Sequence, residues 1–196
     1  MNSGDNCGYF SGTDFGPRLK KLYQEMDATY SAASNLSDFN CDGCDGTKCC
    51  TVDLIIHTSV EMSYMRQGLL ALDQATKSQI KGRSLEIVEF KRLNPVGPGY
   101  RNSICSANFC GRCAIYEHRP MICRLAGIPH FIDRPDQTRV SGPGCPRFET
   151  VFLASNPELK IDRTPFYRRL AEMEIETIRT HGKRTHSLSI AQILAI

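Results

Sequence analysis

The cysteines constrain this chain more than any other feature of its sequence. Eight of the ten cysteines fall in two regions, and one more follows them. These parts read CDGCDGTKCC at 41–50, CSANFCGRCAIYEHRPMICR at 105–124, and GPGCP around Cys145. Thiolates are soft ligands, and the spacing of Cys41 and Cys44 lets one turn of a loop direct two sulfurs at the same centre. The side chains of adjacent residues usually point apart. Cys49 and Cys50 could therefore bind two different metal centres or lie on two sides of one metal centre. The pattern indicates a metal site.

The redox compartment favours metal ligation over a disulfide framework. The N-terminal sequence MNSGDNCGYFSGTDF has neither the basic start nor the apolar run of a secretory signal. We therefore expect a cytoplasmic protein, in which thiols stay reduced unless something binds them. No stretch approaches the roughly twenty apolar residues of a membrane span, so the sequence also predicts a soluble protein. Disulfides or unliganded buried thiols are the alternative.

The charge balance argues against nucleic acid or a membrane surface as the partner. Lys and Arg number 24 against 21 Asp and Glu, which leaves a formal net charge of +3. This excess is too small to indicate a polyanionic partner. Tryptophan is absent and the aromatic content is 8%, which disfavours a stacking platform for single strands. We expect a protein or redox partner whose identity the sequence does not give.

Length and periodicity predict a single domain. A chain of 196 residues can bury one core. We predict a mainly α fold with minor β-structure, an irregular α+β domain whose helices bracket a cysteine-rich, metal-stabilised centre. Residues 1–40 are expected to form an N-terminal helix packed on the core, 41–150 the cysteine-cluster metal-binding domain, and 151–196 a helical extension of it. A short strand is expected at 51–57.

Local signals place the helices. Pro17 opens the first, and apolar residues recur behind it at helical spacing. Thr58 and Glu61 form a capping box that starts the second, which is expected to run to about residue 72. A third is predicted at 75–93 with a break near Gly82, ahead of a loop containing two prolines.

The C-terminal helix has its own signal. Thr164 and Pro165 are typical of a cap followed by a first helical turn. Charged residues collect on one side of this helix, and the opposite side is predicted to face the core. The apolar residues expected on that buried side include Leu170, Ile175 and Ile178.

The chain resembles the YkgJ-type cysteine-cluster family of zinc- or iron-chelating domains. That family is marked by C-x2-C-x(2–4)-CC, a downstream C-x-I-Y-E-x-R-P-x-x-C-R, and a later cysteine near Pro or Gly. Here these parts read CDGCDGTKCC, CAIYEHRPMICR and GPGCP, across roughly residues 41–150. The resemblance implies eight metal ligands: Cys41, Cys44, Cys49, Cys50, Cys105, Cys113, Cys123 and Cys145. Cys110 lies outside this set, but it forms the chelating pair CGRC with Cys113 and is a candidate additional ligand.

Charge compensation suggests which residues surround the metal. Four thiolates around Zn²⁺ or a [4Fe–4S]²⁺ core leave about −2 per site, which is costly to bury without nearby cations and donors. Arg119 and Arg124 are predicted to donate to sulfur or to backbone carbonyls, with Tyr116 and Glu117 fixing their orientation. The histidines near the motifs are more typical of packing or solvent exposure than of ligation. They are His57, His118 and His130.

Three functions follow from this reading. The first is an iron–sulfur protein with a [4Fe–4S] cluster that transfers electrons or supports a reaction. It is favoured because ligation would be by thiolates alone, and because some family members resemble flagellin lysine methylases, for which an iron–sulfur centre is expected. The second is a structural Zn²⁺ module that mediates protein interaction. The third is a lysine methylase-like enzyme; the sequence lacks a glycine motif for a nucleotide-type methyl donor, and enzymatic activity is left open.

Overall fold

The structure, a computed structural model, describes residues 15–37, 49–51, 56–95, 103–109, 111–151, 157–181 and 188–196. Its α-helices are α1 (Phe15–Ser37), α2 (Ser59–Leu70), α3 (Gln74–Leu93), α4 (Met121–Arg124), α5 (Pro146–Val151), α6 (Thr164–His181) and α7 (Ile190–Ala195). Two short 3₁₀ turns cover Cys49–Thr51 and Tyr116–His118. The strands are β1 (Asn108–Phe109), β2 (Arg112–Cys113), β3 (His130–Asp133), β4 (Arg139–Gly142) and β5 (Ile161–Asp162). The predicted mainly α fold with minor β-structure is confirmed.

Two small sheets accompany the helices in the described ranges. Strands β1 and β2 pair antiparallel. Strand β3 lies between β4, to which it is antiparallel, and β5, to which it is parallel. Of the strand expected at 51–57, residues 52–55 lie outside the described residues, and His57 forms a single antiparallel bridge with Leu188.

The first two helices begin where local signals place them. Helix α1 starts at Phe15, two residues ahead of Pro17. At the start of α2 the Thr58 hydroxyl accepts from the Glu61 N–H over 3.2 Å, and the Glu61 carboxylate accepts from the Thr58 N–H over 3.3 Å. The predicted capping box is thus confirmed, and it satisfies two backbone N–H groups at the start of α2.

Helix α3 continues without interruption through Gly82, so the predicted break there is wrong. Glycine costs about 1 kcal/mol in a helix interior relative to alanine. Here Ile80 and Ser84 on either side of Gly82 are fully buried, and α3 packs along α7. Tertiary packing therefore outweighs the unfavourable propensity of a single glycine.

Two glycines in neighbouring helices are expected to respond oppositely to alanine. A Cβ at Gly82 would meet nothing within 4 Å, so Gly82→Ala should raise the free energy of unfolding by about 0.5–1 kcal/mol. A Cβ at Gly68 would lie 2.5 Å from the Cβ of His118, so Gly68→Ala should lower the free energy of unfolding by about 1–3 kcal/mol. Chemical denaturation of both variants measures the difference. Equal effects would contradict the close approach of α2 to the Tyr116–His118 turn.

Helix α6 begins at Thr164, but its buried face differs from the predicted one. Leu170 is buried as expected, whereas Ile175 is 48% exposed. Met173 and Thr177 face the core instead, because with Leu170 they follow the i, i+3, i+7 spacing of one helical face. Ile178 is only partly buried.

Thr164 has a different role from the predicted cap. Its hydroxyl accepts from the Asp133 backbone N–H over 2.9 Å, which ties the start of α6 to β3. The Thr164 N–H donates to the Asp162 carboxylate over 2.8 Å. Asp162 therefore supplies the acceptor at this helix start that the sequence assigned to Thr164.

Two clusters of buried apolar side chains form the core of the described part of the chain. The first joins α1 and α6 to the stretch from α4 to β5: Phe15, Leu19, Leu22, Tyr23, Met26, Ala33, Val60, Met121, Leu125, Ile128, Phe148, Ile161, Phe166, Leu170 and Met173. The second joins α2, α3 and α7 to the β1–β2 region: Met62, Met65, Leu69, Ile80, Ala107, Ile115, Ile190, Ile193 and Leu194. Helix α2 contributes to both clusters and connects them. None of the helices in the described ranges combines the length and apolarity needed to cross a bilayer.

Candidate metal centre

Four cysteine thiols share one region of the structure. Burial raises the pKa of the Cys123 thiol well above its usual value, and the thiols of Cys105, Cys113 and Cys50 raise it further. Burial also raises the pKa of Cys113, and the nearby Cys50 thiol raises it further. A hydrogen bond with the Ile115 backbone lowers this pKa, but burial has the larger effect. Cys105, Cys113 and Cys123 pack against the second core cluster. The Cys105 N–H donates to the Cys50 carbonyl, so the four cysteines occupy one region. The described cysteines form no disulfide among themselves.

Asn108 links three parts of this region. It faces Cys113 across the β1–β2 hairpin, and its side-chain amide donates to the Cys50 Sγ over 3.1 Å. Its Oδ1 accepts from the Gly111 N–H over 3.0 Å. Gly111 has a φ of 82°, which a glycine adopts without the steric cost of a Cβ. The hairpin turn, the strand carrying Cys113 and the Cys50 sulfur are therefore held by one amide side chain.

Main-chain hydrogen bonds join the two cysteine regions. The Cys50 carbonyl accepts from the Cys105 N–H over 2.7 Å, and the Cys105 carbonyl accepts from the Asn108 N–H over 2.9 Å. The 3₁₀ turn at Cys49–Thr51 is thus bonded directly to the segment that leads into β1. The predicted convergence of these two parts of the chain does not depend on side chains alone.

Helix α3 anchors this segment from the other side. The Arg83 guanidinium donates to the Asn108 carbonyl over 2.8 Å and lies 5.0 Å from the centroid of the Phe109 ring. The Ser84 hydroxyl donates to the Ser106 hydroxyl over 2.6 Å, and both side chains are buried. No local motif in the sequence marks Arg83, because its acceptor lies 25 residues further along the chain.

Arg124 shapes the segment that carries Cys123. This arginine is 4% exposed and donates to the backbone carbonyls of Arg119, over 3.0 Å, and Glu117. It also pairs with Asp27 of α1 over 2.6 Å, and its guanidinium lies 4.1 Å from the centroid of the Tyr23 ring. Arg124 therefore links distant parts of the YEHRPMICR stretch to one another and connects this stretch to α1.

Arg119 acts on the thiols through its charge. Its guanidinium lies 3.6 Å from the centroid of the Tyr116 ring and donates to Asp27 over 3.1 Å. Against the larger effect of burial, its positive charge lowers the pKa of both Cys113 and Cys123. Arg119 and Arg124 were predicted to donate to sulfur or to backbone carbonyls. Their described hydrogen bonds go to carbonyls and to Asp27, an acceptor that was not predicted.

The remaining predicted ligands are Cys49, Cys145 and three cysteines that are not described. Cys49 is exposed, next to the partly buried Cys50. Cys145 packs against the first core cluster, and its Sγ accepts from the Phe148 N–H over 3.4 Å. Cys105, Cys113 and Cys123 instead pack against the second cluster. Three predicted cysteines lie outside the described residues: Cys41, Cys44 and Cys110.

The three histidines near the motifs pack against protein groups. The His57 side chain is 2% exposed, and its Nδ1 lies 3.7 Å from the Glu61 carboxylate. The His118 ring stacks at 4.6 Å on the Tyr64 ring. The His130 ring lies against the glycine that ends β4. These positions agree with the packing interpretation of their sequence context.

The thiol region fits a metal in its chemistry. Among the residues that the structure describes, no group of three or more His, Cys, Asp or Glu side chains is arranged to hold a metal ion. The region nevertheless supplies sulfur donors, an N–H that hydrogen bonds to a sulfur, and the Arg119 charge, which suit a thiolate-bound centre. Among the described residues, the side chains that could hold the metal are Cys50, Cys105, Cys113 and Cys123.

Comparison with known proteins identifies the family. Residues 40–145, more than half of the chain, match the model of the CxxCxxCC family, described as a "putative zinc- or iron-chelating domain". The chain belongs to this family. All four of the gathered thiols lie within the part that matches the CxxCxxCC family, as do Arg119 and Arg124. No curated protein and no solved structure matches the chain.

Proposed function

We propose that the chain binds a [4Fe–4S] cluster through cysteine thiolates and that this cluster transfers electrons or supports a reaction. The observation that carries the proposal is the group of Cys50, Cys105, Cys113 and Cys123, which come together from separate described segments. Iron–sulfur clusters are held by cysteine thiolates and supply one-electron redox chemistry. Such a cluster suits the reducing conditions of the cytoplasm.

Hydrogen bonding and burial support a redox role. The Asn108 amide that donates to the Cys50 sulfur is of the kind that tunes the potential of an iron–sulfur cluster. Partial burial of the thiols limits the access of water to them. The potential of such a cluster depends on both properties, so substitution of Asn108 would change it.

Exposed residues beside the thiols offer an approach for a redox partner. Ile104 is 43% exposed and precedes Cys105, and Cys49 is exposed and precedes Cys50. Tyr116, 57% exposed, follows Cys113 closely along the chain. Electron exchange is faster for a cluster close to the surface, and these exposed positions support such a location for the proposed ligands. The partner is expected to be a protein rather than a nucleic acid or membrane.

A structural Zn²⁺ site that mediates protein interaction is the second candidate. It is favoured by the limited secondary structure around the thiols: Cys50 lies in a 3₁₀ turn, Cys113 in a two-residue strand, Cys123 in a four-residue helix and Cys105 in no helix or strand. Segments of this kind are often ordered by structural zinc. A lysine methylase-like activity rests on the family resemblance alone.

Metal analysis of protein purified without oxygen tests both candidates. We expect about four irons and about four acid-labile sulfides per chain and a broad brown absorbance. Stoichiometric zinc in a colourless protein would reject the iron–sulfur proposal and support the structural zinc site. Absence of both metals from protein produced with iron and zinc supplied would reject metal binding by this chain. The protein should carry no affinity tag that binds metal.

A further inference from the structure

Glu61 makes more contacts than its capping box requires. Its side chain is buried, 4% exposed, at the start of α2. Besides the contacts to Thr58, its carboxylate accepts from the Tyr23 hydroxyl over 3.2 Å and lies 3.7 Å from the His57 Nδ1. It also accepts from the Met121 N–H over 2.9 Å. One carboxylate therefore joins α1, α2 and the start of α4.

The bond to Met121 satisfies a group that has no acceptor within its own helix. Met121 is the first residue of α4, and no side-chain hydrogen bond caps this helix at Pro120. A buried N–H in this position is costly unless an acceptor is supplied from elsewhere. Glu61 supplies it from 60 residues away in the sequence. The bond therefore fixes α4, and Cys123 on it, relative to α2.

The carboxylate keeps its charge in this position. Burial raises the pKa of Glu61, but His57 and the backbone N–H groups of Met121 and Thr58 more than offset this, and the pKa lies below its usual value. Hydrogen bonds to a charged acceptor are about twice as strong as neutral ones. The Met121 bond is consequently a firm attachment for a helix of only four residues.

We propose that Glu61 is a positioning residue for the Cys123 thiol, which it holds among Cys50, Cys105 and Cys113 through the Met121 N–H. The hydrogen bond between Glu61 and the Met121 N–H does not require a metal. The importance of Glu61 for metal retention rests on the proposed function. The proposal therefore predicts one effect in metal-free protein and a second in loaded protein, and the two can be measured separately.

The first test follows the reaction of individual cysteines in metal-free protein. Glu61→Ala is expected to raise the alkylation rate of Cys123 about tenfold or more, because loss of a hydrogen bond to a charged acceptor makes local opening around α4 more frequent. The rate at Cys145, in the first core cluster, should stay unchanged. Mass spectrometry of alkylated peptides resolves the two sites. An unchanged Cys123 rate, or equal increases at both sites in folded protein, would overturn the proposal.

Matched variants separate positioning from stability. Glu61→Gln keeps the shape and one acceptor oxygen, and should restore protection of Cys123. Thr58→Ala and Tyr23→Phe each remove a different contact of the same carboxylate and should leave Cys123 protected. If Glu61→Ala does not fold, Met121→Pro removes the N–H at a helix position where proline is tolerated, with Met121→Leu as its control. Exposure of Cys123 in both Met121 variants, or in neither, would contradict the proposal.

The second test uses protein loaded with iron and sulfide or with zinc. Transfer of the metal to a chelator should be about 10- to 100-fold faster in Glu61→Ala than in Thr58→Ala. If the wild-type chain holds no metal, the proposed function fails, whereas the alkylation result still decides the role of Glu61. If metal is held and both variants release it equally, Glu61 does not position a ligand.

Discussion

Cys123→Ser is expected to lose most of its bound metal and to unfold at a lower temperature than the wild-type protein. Cys123 lies among the other three thiols and is the one whose pKa all of them raise, in addition to the larger effect of burial. A serine hydroxyl does not replace a thiolate as a metal ligand. Loss of a residue that only supports a ligand lowers metal affinity about 10- to 100-fold, and we expect a larger loss here. Metal content per chain and the thermal midpoint measure the two effects. Both should fall together, because metal binding contributes directly to folding.

Cys145→Ser is the matched control. Family resemblance implies that Cys145 is a ligand, but it packs against the first core cluster and its sulfur accepts from the Phe148 N–H. We expect this variant to keep its metal, because serine retains an acceptor and the four gathered thiols are untouched. Metal loss in Cys145→Ser, or metal retained in Cys123→Ser, would require a different ligand set.

Arg124→Ala is expected to lower the free energy of unfolding by about 3 kcal/mol. The substitution leaves two carbonyls without their buried donor and removes one of the two arginine partners of Asp27, the other being Arg119. Breaking a buried charged pair costs about 3–5 kcal/mol, and the lower end applies here because Asp27 is partly exposed. Chemical denaturation followed by circular dichroism measures the change. In a chain of this size it corresponds to about 6–12 °C in the thermal midpoint.

An exposed arginine provides the comparison. Arg92 pairs with Glu89 on the surface of α3, where both side chains are more than half exposed. Arg92→Ala should change the free energy of unfolding by less than about 1 kcal/mol, because surface ion pairs contribute little. Similar losses in the two variants would mean that the contacts of Arg124 with the YEHRPMICR stretch are not important for stability.

Local signals predicted the helices well. The Thr58 capping box and the start of α1 depend on residues within one or two turns, and both appear where expected. The errors arise where packing outweighs a local preference. Gly82 does not break α3, because residues on either side of it are buried. Ile175 is exposed although apolar, because the face of α6 that meets the core is set by its neighbours.

The site was predictable only in part. Cysteine spacing marked the sulfur-rich region, since ligand type and spacing can be read from the sequence. It did not distinguish Cys145 from Cys123, because the difference lies in which core cluster each side chain contacts. Nor did it indicate Asn108 as a donor to sulfur or Glu61 as a partner of Met121. These contacts join residues about sixty positions apart, and no short motif encodes them.

The hydrogen bond from Asn108 to the Cys50 sulfur spans 58 residues and encloses the whole of α2 and α3. A centre built on such a contact differs from a zinc finger, whose ligands lie in one short stretch. Metal held there would act as a cross-link between distant parts of the chain. A cross-link removes more entropy from the unfolded chain when the loop it closes is longer. A metal centre that joins the two cysteine regions would therefore stabilise the fold by cross-linking segments separated by two helices.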